Sequence, residues 1–284
     1  MLIDSHCHLN FPELSNNMPA LRQAMADNQV THALCVSVTL EKFPEVLAIA
    51  EAHDNFYASV GVHPDYEKKS ADDENADVIL EEPTVERLVQ LANNPKIIAV
   101  GETGLDYFRL TGDLEWQRER FRTHIRAAIK IGKPLIIHTR NASVDTIKIM
   151  REENAQLVGG VMHCFTESLE VAKQAIELGF YISFSGIVTF KNALDLKEVA
   201  KTIPLEKILI ETDSPYLAPI PFRGKTNQPA YVRHVAEEIA KLRNISVEEV
   251  GRATTDSFFT LFKQARRDEI YSDQAGSKQD LTCS

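Results

Sequence analysis

The 284-residue chain reads as an α/β protein, a (β/α)8 TIM-like barrel, and three observations carry that reading. Short, largely apolar runs of strand length alternate with amphipathic stretches of helical spacing along nearly the whole chain, the pattern of a parallel sheet with its crossover helices. The length suits a barrel of about 250 residues folded as one domain. Side chains able to bind metal recur where the apolar runs end, the end at which such barrels carry their active sites.

The elements follow in order. Met1-Leu2-Ile3 opens the first strand, which leads into Asp4-Ser5-His6-Cys7-His8. Met18–Gln29 has helical spacing at Leu21, Ala24 and Met25, and Ala33–Val38 is the second strand. Helix and strand then alternate through Phe43–His53, Tyr57–Val62, Val85–Ala92, Ile97–Gly101, Leu114–Ile131 and Leu135–His138. The second half repeats the rhythm with Val144–Glu152, Val158–His163, Leu169–Leu178, Tyr181–Ser185, Leu194–Thr202 and Ile208–Glu211. Helices at Val232–Leu242 and Val247–Phe262 close the chain. An open doubly wound sheet is the competing arrangement, but it calls for a glycine-rich first turn, and none follows the first strand. The barrel domain is expected over residues 1–264. Residues 265–284 are polar and lack apolar periodicity, as in a frayed tail. Ala71–Pro83 carries six acidic residues and no basic one and reads as a solvated loop without a catalytic role.

Composition narrows the function. Hydrophobic residues at 44% and charged residues at 25% are those of a globular protein, and a formal net charge of −10 argues against a general nucleic-acid coat. A phosphate substrate held in a local pocket remains compatible with that charge. No basic region with a following apolar segment opens the chain and no run of about 18 apolar residues occurs, so a cytoplasmic location is expected. Four cysteines make no disulfide framework, and Cys7 and Cys164 are expected as buried small hydrophobes.

The chemistry collects at the strand ends. His6 and His8 lie two apart on one strand and point the same way. His63 ends strand three, Glu102 strand four, His138 strand five, His163 strand six and Asp213 strand eight, while strands two and seven contribute no such group. Buried without a partner, such a cluster would be costly, whereas divalent cations neutralise the carboxylates and use the imidazole lone pairs. Glu102, with two oxygens, suits a bridge between two cations. Asp213 is placed to orient a water and receive its proton, the competing role being a helix N-cap in Thr-Asp-Ser-Pro. His63 is a candidate to donate to a phosphate oxygen or to a leaving group, or to hold a structural hydrogen bond. Arg109, Arg140, Arg223 and Lys225 stand in loops at the same mouth, where guanidinium groups can grip a phosphodiester. Tyr107 and Phe108 are the stacking candidates, while Trp116 and Phe121 belong to the core.

The series DSHCHL, GVHP, GETGLDY, HTR, HCFTES and ETDSPYLAP, followed by FRGKTNQPAYV, resembles the TatD family of metal-dependent hydrolases in the amidohydrolase superfamily, most closely its YcfH-like branch. The similarity runs from Met1 to about Phe262. It implies a barrel hydrolase, in several members a deoxyribonuclease, with His6 and His8 on one metal, His138 and His163 on a second, Glu102 bridging both and Asp213 on the first. Two divalent ions are implied, and a nitrogen-rich ligand set favours Zn²⁺ or Mn²⁺, with Mg²⁺ possible. The acidic loop, the tail and Glu167, where many members have glycine, depart from the family pattern. The leading expectation is a two-metal phosphodiesterase acting on DNA ends or single strands. Hydrolysis of an amide, lactone or ester at the same metals is the alternative, and a non-enzymatic metal-binding module is the third.

Overall fold

The computed structural model describes residues 1–66, 81–108, 110 and 112–268. Eight strands, β1 (Leu2–Cys7), β2 (Val30–Cys35), β3 (Phe56–Val60), β4 (Ile97–Asp106), β5 (Leu135–Arg140), β6 (Gly160–Met162), β7 (Phe180–Phe184) and β8 (Ile208–Ile210), pair in sequence order, all parallel. β8 returns to β1 through a bridge between Cys7 and Ser214, with Asp213 N–H donating to the His6 carbonyl and His8 N–H to the Ser214 carbonyl. The buried Asp4 carboxylate reinforces the seam by accepting from the backbone N–H and the hydroxyl of Thr212. The barrel is therefore nearly closed.

Every strand contributes to a buried cluster inside the barrel, with Ile3, Leu34, Tyr57, Ile98 and Ala99, Ile136, Val161, Tyr181 and Leu209. Phe258 and Phe262, at the end of the last helix, join that cluster and plug the amino-terminal end of the barrel. A larger apolar layer lies between sheet and helices, so the strands are buried on both faces, which accounts for runs that read as continuously apolar.

The helices are α1 (Pro12–Ser15), α2 (Met18–Asp27), α3 (Phe43–Glu51), α4 (Val85–Ala92), α5 (Glu115–Ile131), α6 (Ser143–Glu152), α7 (Leu169–Glu177), α8 (Leu194–Thr202), α9 (Val232–Arg243) and α10 (Val247–Leu261). Their starts carry side-chain caps at Asn17, Thr84, Ser168 and Ser246, each oxygen accepting a first-turn backbone N–H. α5 stops at Gly132, whose φ of 70° is left-handed. Among the described residues no helix is long and apolar enough to cross a membrane.

Four expectations need correction. β2 begins at Val30, three residues before the expected Ala33, because the polar Thr31-His32 pair belongs to the strand and His32 is buried against the Arg266 carbonyl. β4 runs on to Asp106 instead of ending at Gly101, since Thr103 to Asp106 pair with Ile137 to Arg140. The end of the acidic loop is not fully solvated. Glu82 is half-buried and holds the buried Arg120 guanidinium at 2.7 and 2.6 Å, while residues 71–80 lie outside the described residues. Nor is the start of the tail frayed: the Arg266 N–H donates to the Tyr57 hydroxyl, and residues 269–284 lie outside the described residues.

Candidate metal centre

A parity change in β1 aims its histidines. The β1–β2 register slips between Asp4 and Cys7, and beyond the slip His6 and His8 turn their rings toward Asp213 at the end of β8. Cys7 faces the outer layer, its thiol donating to the Leu34 carbonyl. Glu102 sits centrally on β4 between two glycines. A Cβ on Gly104, at φ +137°, would overlap the His138 carbonyl, so glycine there lets β4 approach β5 closely enough for the two side chains to meet.

Distances define two groups sharing one carboxylate. Glu102 Oε2 lies 3.4 Å from His6 Nε2, and Asp213 Oδ1 lies 3.6 Å from His6 Nε2 and 3.3 Å from His8 Nε2. Glu102 Oε1 lies 2.7 Å from His163 Nε2 and 3.3 Å from both His138 Nδ1 and His63 Nε2. His6 and His163 stack at 3.9 Å between centroids. Three overlapping sets of donor atoms are spaced as metal ligands are: His6, Glu102 and His163; His6, His8 and Asp213; His63, Glu102 and His138. Both His6 ring nitrogens are buried without a hydrogen-bond partner. Orphaned imidazole nitrogens packed around two carboxylates fit a divalent cation and would be a costly way to build a purely structural core.

Charge compounds the arrangement. Burial opposes ionisation of Glu102, but the imidazoles of His163, His63 and His138 outweigh it and hold the carboxyl well below its usual range. Asp213 is lowered in the same way, its burial outweighed by His8 and His6. Burial pushes the His63 imidazole down, yet Glu102 and Asp65 together raise it to about 9.

These groups line a cavity of about 610 Å³ at the carboxyl ends of the strands. Phe11, Tyr66 and Tyr216 supply aromatic faces to its wall, and among the described residues Arg140 is the guanidinium that reaches it, lying 3.7 Å over the Phe108 ring. The expected rim is otherwise rearranged. Tyr107 does not line the cavity, because its hydroxyl donates to Asp145 and accepts from Arg118. Arg223 and Lys225 are exposed on the loop after β8, over Phe190 and Phe222, outside the lining. Arg109 lies outside the described residues. Glu167 is half-buried, hydrogen-bonded to Ser143, and also outside the lining. Cys164 is a further correction: at φ +41° it has left the strand, and it lines the cavity with its sulfur 3.3 Å from the Ser185 hydroxyl.

Three acidic residues escaped the sequence reading. Asp65 holds His63 Nδ1, Asp106 lies 3.1 Å from His138 Nε2, and Glu211 lies 3.3 Å from His163 Nδ1 while accepting from the Cys164 N–H at 2.7 Å. Each stands two residues from a strand-end group or on the adjacent strand, but GVHPD, GETGLD and ETD do not show which ring nitrogen the carboxylate reaches.

A parallel eight-stranded barrel with a histidine and carboxylate cluster at its carboxyl mouth is the architecture of a metal-dependent hydrolase. The chain belongs to the TatD family: the model described as TatD related DNase matches residues 3–263. It is 44% identical over 264 residues to YcfH of Escherichia coli strain K12, named as an uncharacterized metal-dependent hydrolase, with 92% of this chain and 95% of that protein covered. Its identity to the similarly named YabD of Bacillus subtilis strain 168 is 39%, covering 93% and 99%. The crystal structure of YjjV, a TatD homologue from Escherichia coli K12, superposes with a TM-score of 0.82 at 30% identity, covering 92% of this chain and 98% of that one.

Proposed function

We propose that the protein is a TatD-type deoxyribonuclease that hydrolyses phosphodiester bonds at DNA ends or in single strands. One observation carries the reading: the two donor groups share Glu102 in a cavity that also admits a guanidinium and three aromatic faces. His6, His8 and Asp213 would hold one divalent ion, His138 and His163 the other, and Glu102 both. The nitrogen-rich set favours Zn²⁺ or Mn²⁺, and Mg²⁺ is compatible with one position. When bound, such a pair supplies Lewis acidity to the attacked phosphoryl group and acidifies the attacking water.

The chain's own residues do the rest. Asp213, lowered into its ionised form, accepts a proton from the attacking water as oxygen adds to phosphorus. His63, held by Asp65 and raised to about 9, carries the proton that the departing sugar oxygen takes as its bond to phosphorus breaks. Arg140 grips a phosphate oxygen inside the cavity, and Phe108 behind it keeps the guanidinium oriented. Arg223 and Lys225 lie further out and suit the next phosphates of the strand.

The test is a screen of metal-reconstituted protein against end-labelled single-stranded DNA, RNA, and simple esters and lactones. Cleavage of DNA is expected. If DNA stays intact with both positions loaded while an ester or lactone is turned over, carbonyl hydrolysis replaces the nuclease reading.

A further inference from the structure

The two halves of the centre are backed differently. The His8 Nδ1 donates to a backbone carbonyl, that of Val36 at 3.1 Å, and His6 Nδ1 has no partner. His138 and His163 are each backed by a buried carboxylate, Asp106 and Glu211. A carboxylate on the far ring nitrogen fixes which nitrogen keeps its proton and so which one is left bare to bind a metal.

We infer that Asp106 is the positioning residue of the second ion, holding His138 in the Nε2–H form so that Nδ1 faces Glu102 without a proton. Asp106 is 2% exposed, and its backbone is clamped by Gln117, which accepts from the Asp106 N–H at 2.9 Å and donates to the Asp106 carbonyl at 3.2 Å. Its two carboxylate oxygens have separate duties. Oδ1 accepts from the Phe108 N–H at 2.8 Å, and Oδ2 accepts from His138 Nε2 at 3.1 Å. Both partners donate, so the site requires an acceptor on each oxygen.

That requirement makes Asp106→Asn a sharp substitution. An amide has one acceptor, and the Phe108 N–H can only donate, so the amide nitrogen is forced toward His138. Nε2 must then accept, the ring proton moves to Nδ1, and the lone pair facing Glu102 is lost. Glu211 provides the contrast. Its Oε1 alone accepts from both the Cys164 N–H and His163 Nδ1, while Oε2 has no partner. Glu211→Gln can therefore keep both bonds and the same tautomer.

The inference rests on the two-ion reading above, and the experiment separates the two. Metal-free wild-type protein, labelled with ¹⁵N in its histidines, is titrated with Co²⁺ and followed by its absorption bands, alongside Asp106→Asn and Glu211→Gln. Two equivalents are expected in wild type. Asp106→Asn should bind one of them about 10–100-fold more weakly and leave the other unchanged, and Glu211→Gln should keep both. A wild type that takes up no Co²⁺ overturns the two-ion reading and this inference together. Two equivalents in wild type with an unchanged Asp106→Asn curve overturn this inference alone. Zn²⁺-loaded wild-type protein offers a check free of any folding defect: long-range ¹H–¹⁵N correlations should show the His138 proton on Nε2 and none on Nδ1, and a proton on Nδ1 overturns the inference.

Discussion

Glu102 places its two oxygens on opposite sides of the cluster, toward His6 on one side and His63, His138 and His163 on the other. Removing it should therefore harm both ions at once. Elemental analysis of protein purified without chelators is expected to find transition metal in wild type and markedly less in Glu102→Ala, and unchanged content would end the bridging role. Asp213 is a different case, since three other groups surround the same position. Asp213→Asn should retain at least one ion and the fold while turnover falls by about 10²–10⁴-fold, and wild-type turnover would remove it from the proton path. The strand-end groups could be read from the sequence because a barrel gathers whatever ends its strands, wherever those residues lie along the chain. Asp65, Asp106 and Glu211 could not, because what defines them is the ring nitrogen each reaches. That is a fact of side-chain direction on neighbouring strands, and a run such as GETGLDY does not declare it.

α5 explains how the mouth is kept in shape. Gln117 donates to both the Pro64 and Asp106 carbonyls, Arg120 donates to Tyr66 O at 2.6 Å, and His124 Nε2 accepts from Val62 N–H at 3.0 Å. Three side chains of one helix thus pin the loop carrying His63 to the end of β4. The helix was legible from its apolar spacing, but the polar side chains it sends inward were not. Periodicity assigns polar residues to the solvent face. His124 gives this tie a pH signature: it is fully buried and neutral, Nδ1 donating to the Arg120 carbonyl, and burial lowers its pKa from 6.5 to about 4. The unfolded chain takes up the proton first as pH falls. His124 therefore contributes stability that is fully present above pH 6.5 and is lost progressively down to about pH 4, at most about 3 kcal/mol. Urea unfolding of chelated protein should show His124→Gln less stable than wild type at pH 7, with the gap closing across that window. A gap that stays constant would mean that His124 does not titrate there.

At the scale of the whole molecule, charge decides how a polyanion can be handled. A net charge of −10 repels nucleic acid at long range, so attraction must come from the few cations at the mouth. Arg140 is the guanidinium among the described cavity-lining residues, and Arg223 and Lys225 stand outside it. Only a short length of strand is gripped on this arrangement, about two to four phosphates. Each phosphate neutralised on a single strand contributes about −0.7 to the slope of log affinity against log salt, so the slope should fall between about −1.4 and −2.8. Fluorescence anisotropy with a phosphorothioate single strand, which resists cleavage, measures that slope directly. Arg223→Ala should make it shallower by about 0.7 without changing metal content, and a duplex without frayed ends should bind more weakly than the single strand. A slope steeper than about −5, or equal affinity for blunt duplex, would mean that the protein tracks along a longer tract and that attack at ends and single strands is the wrong description.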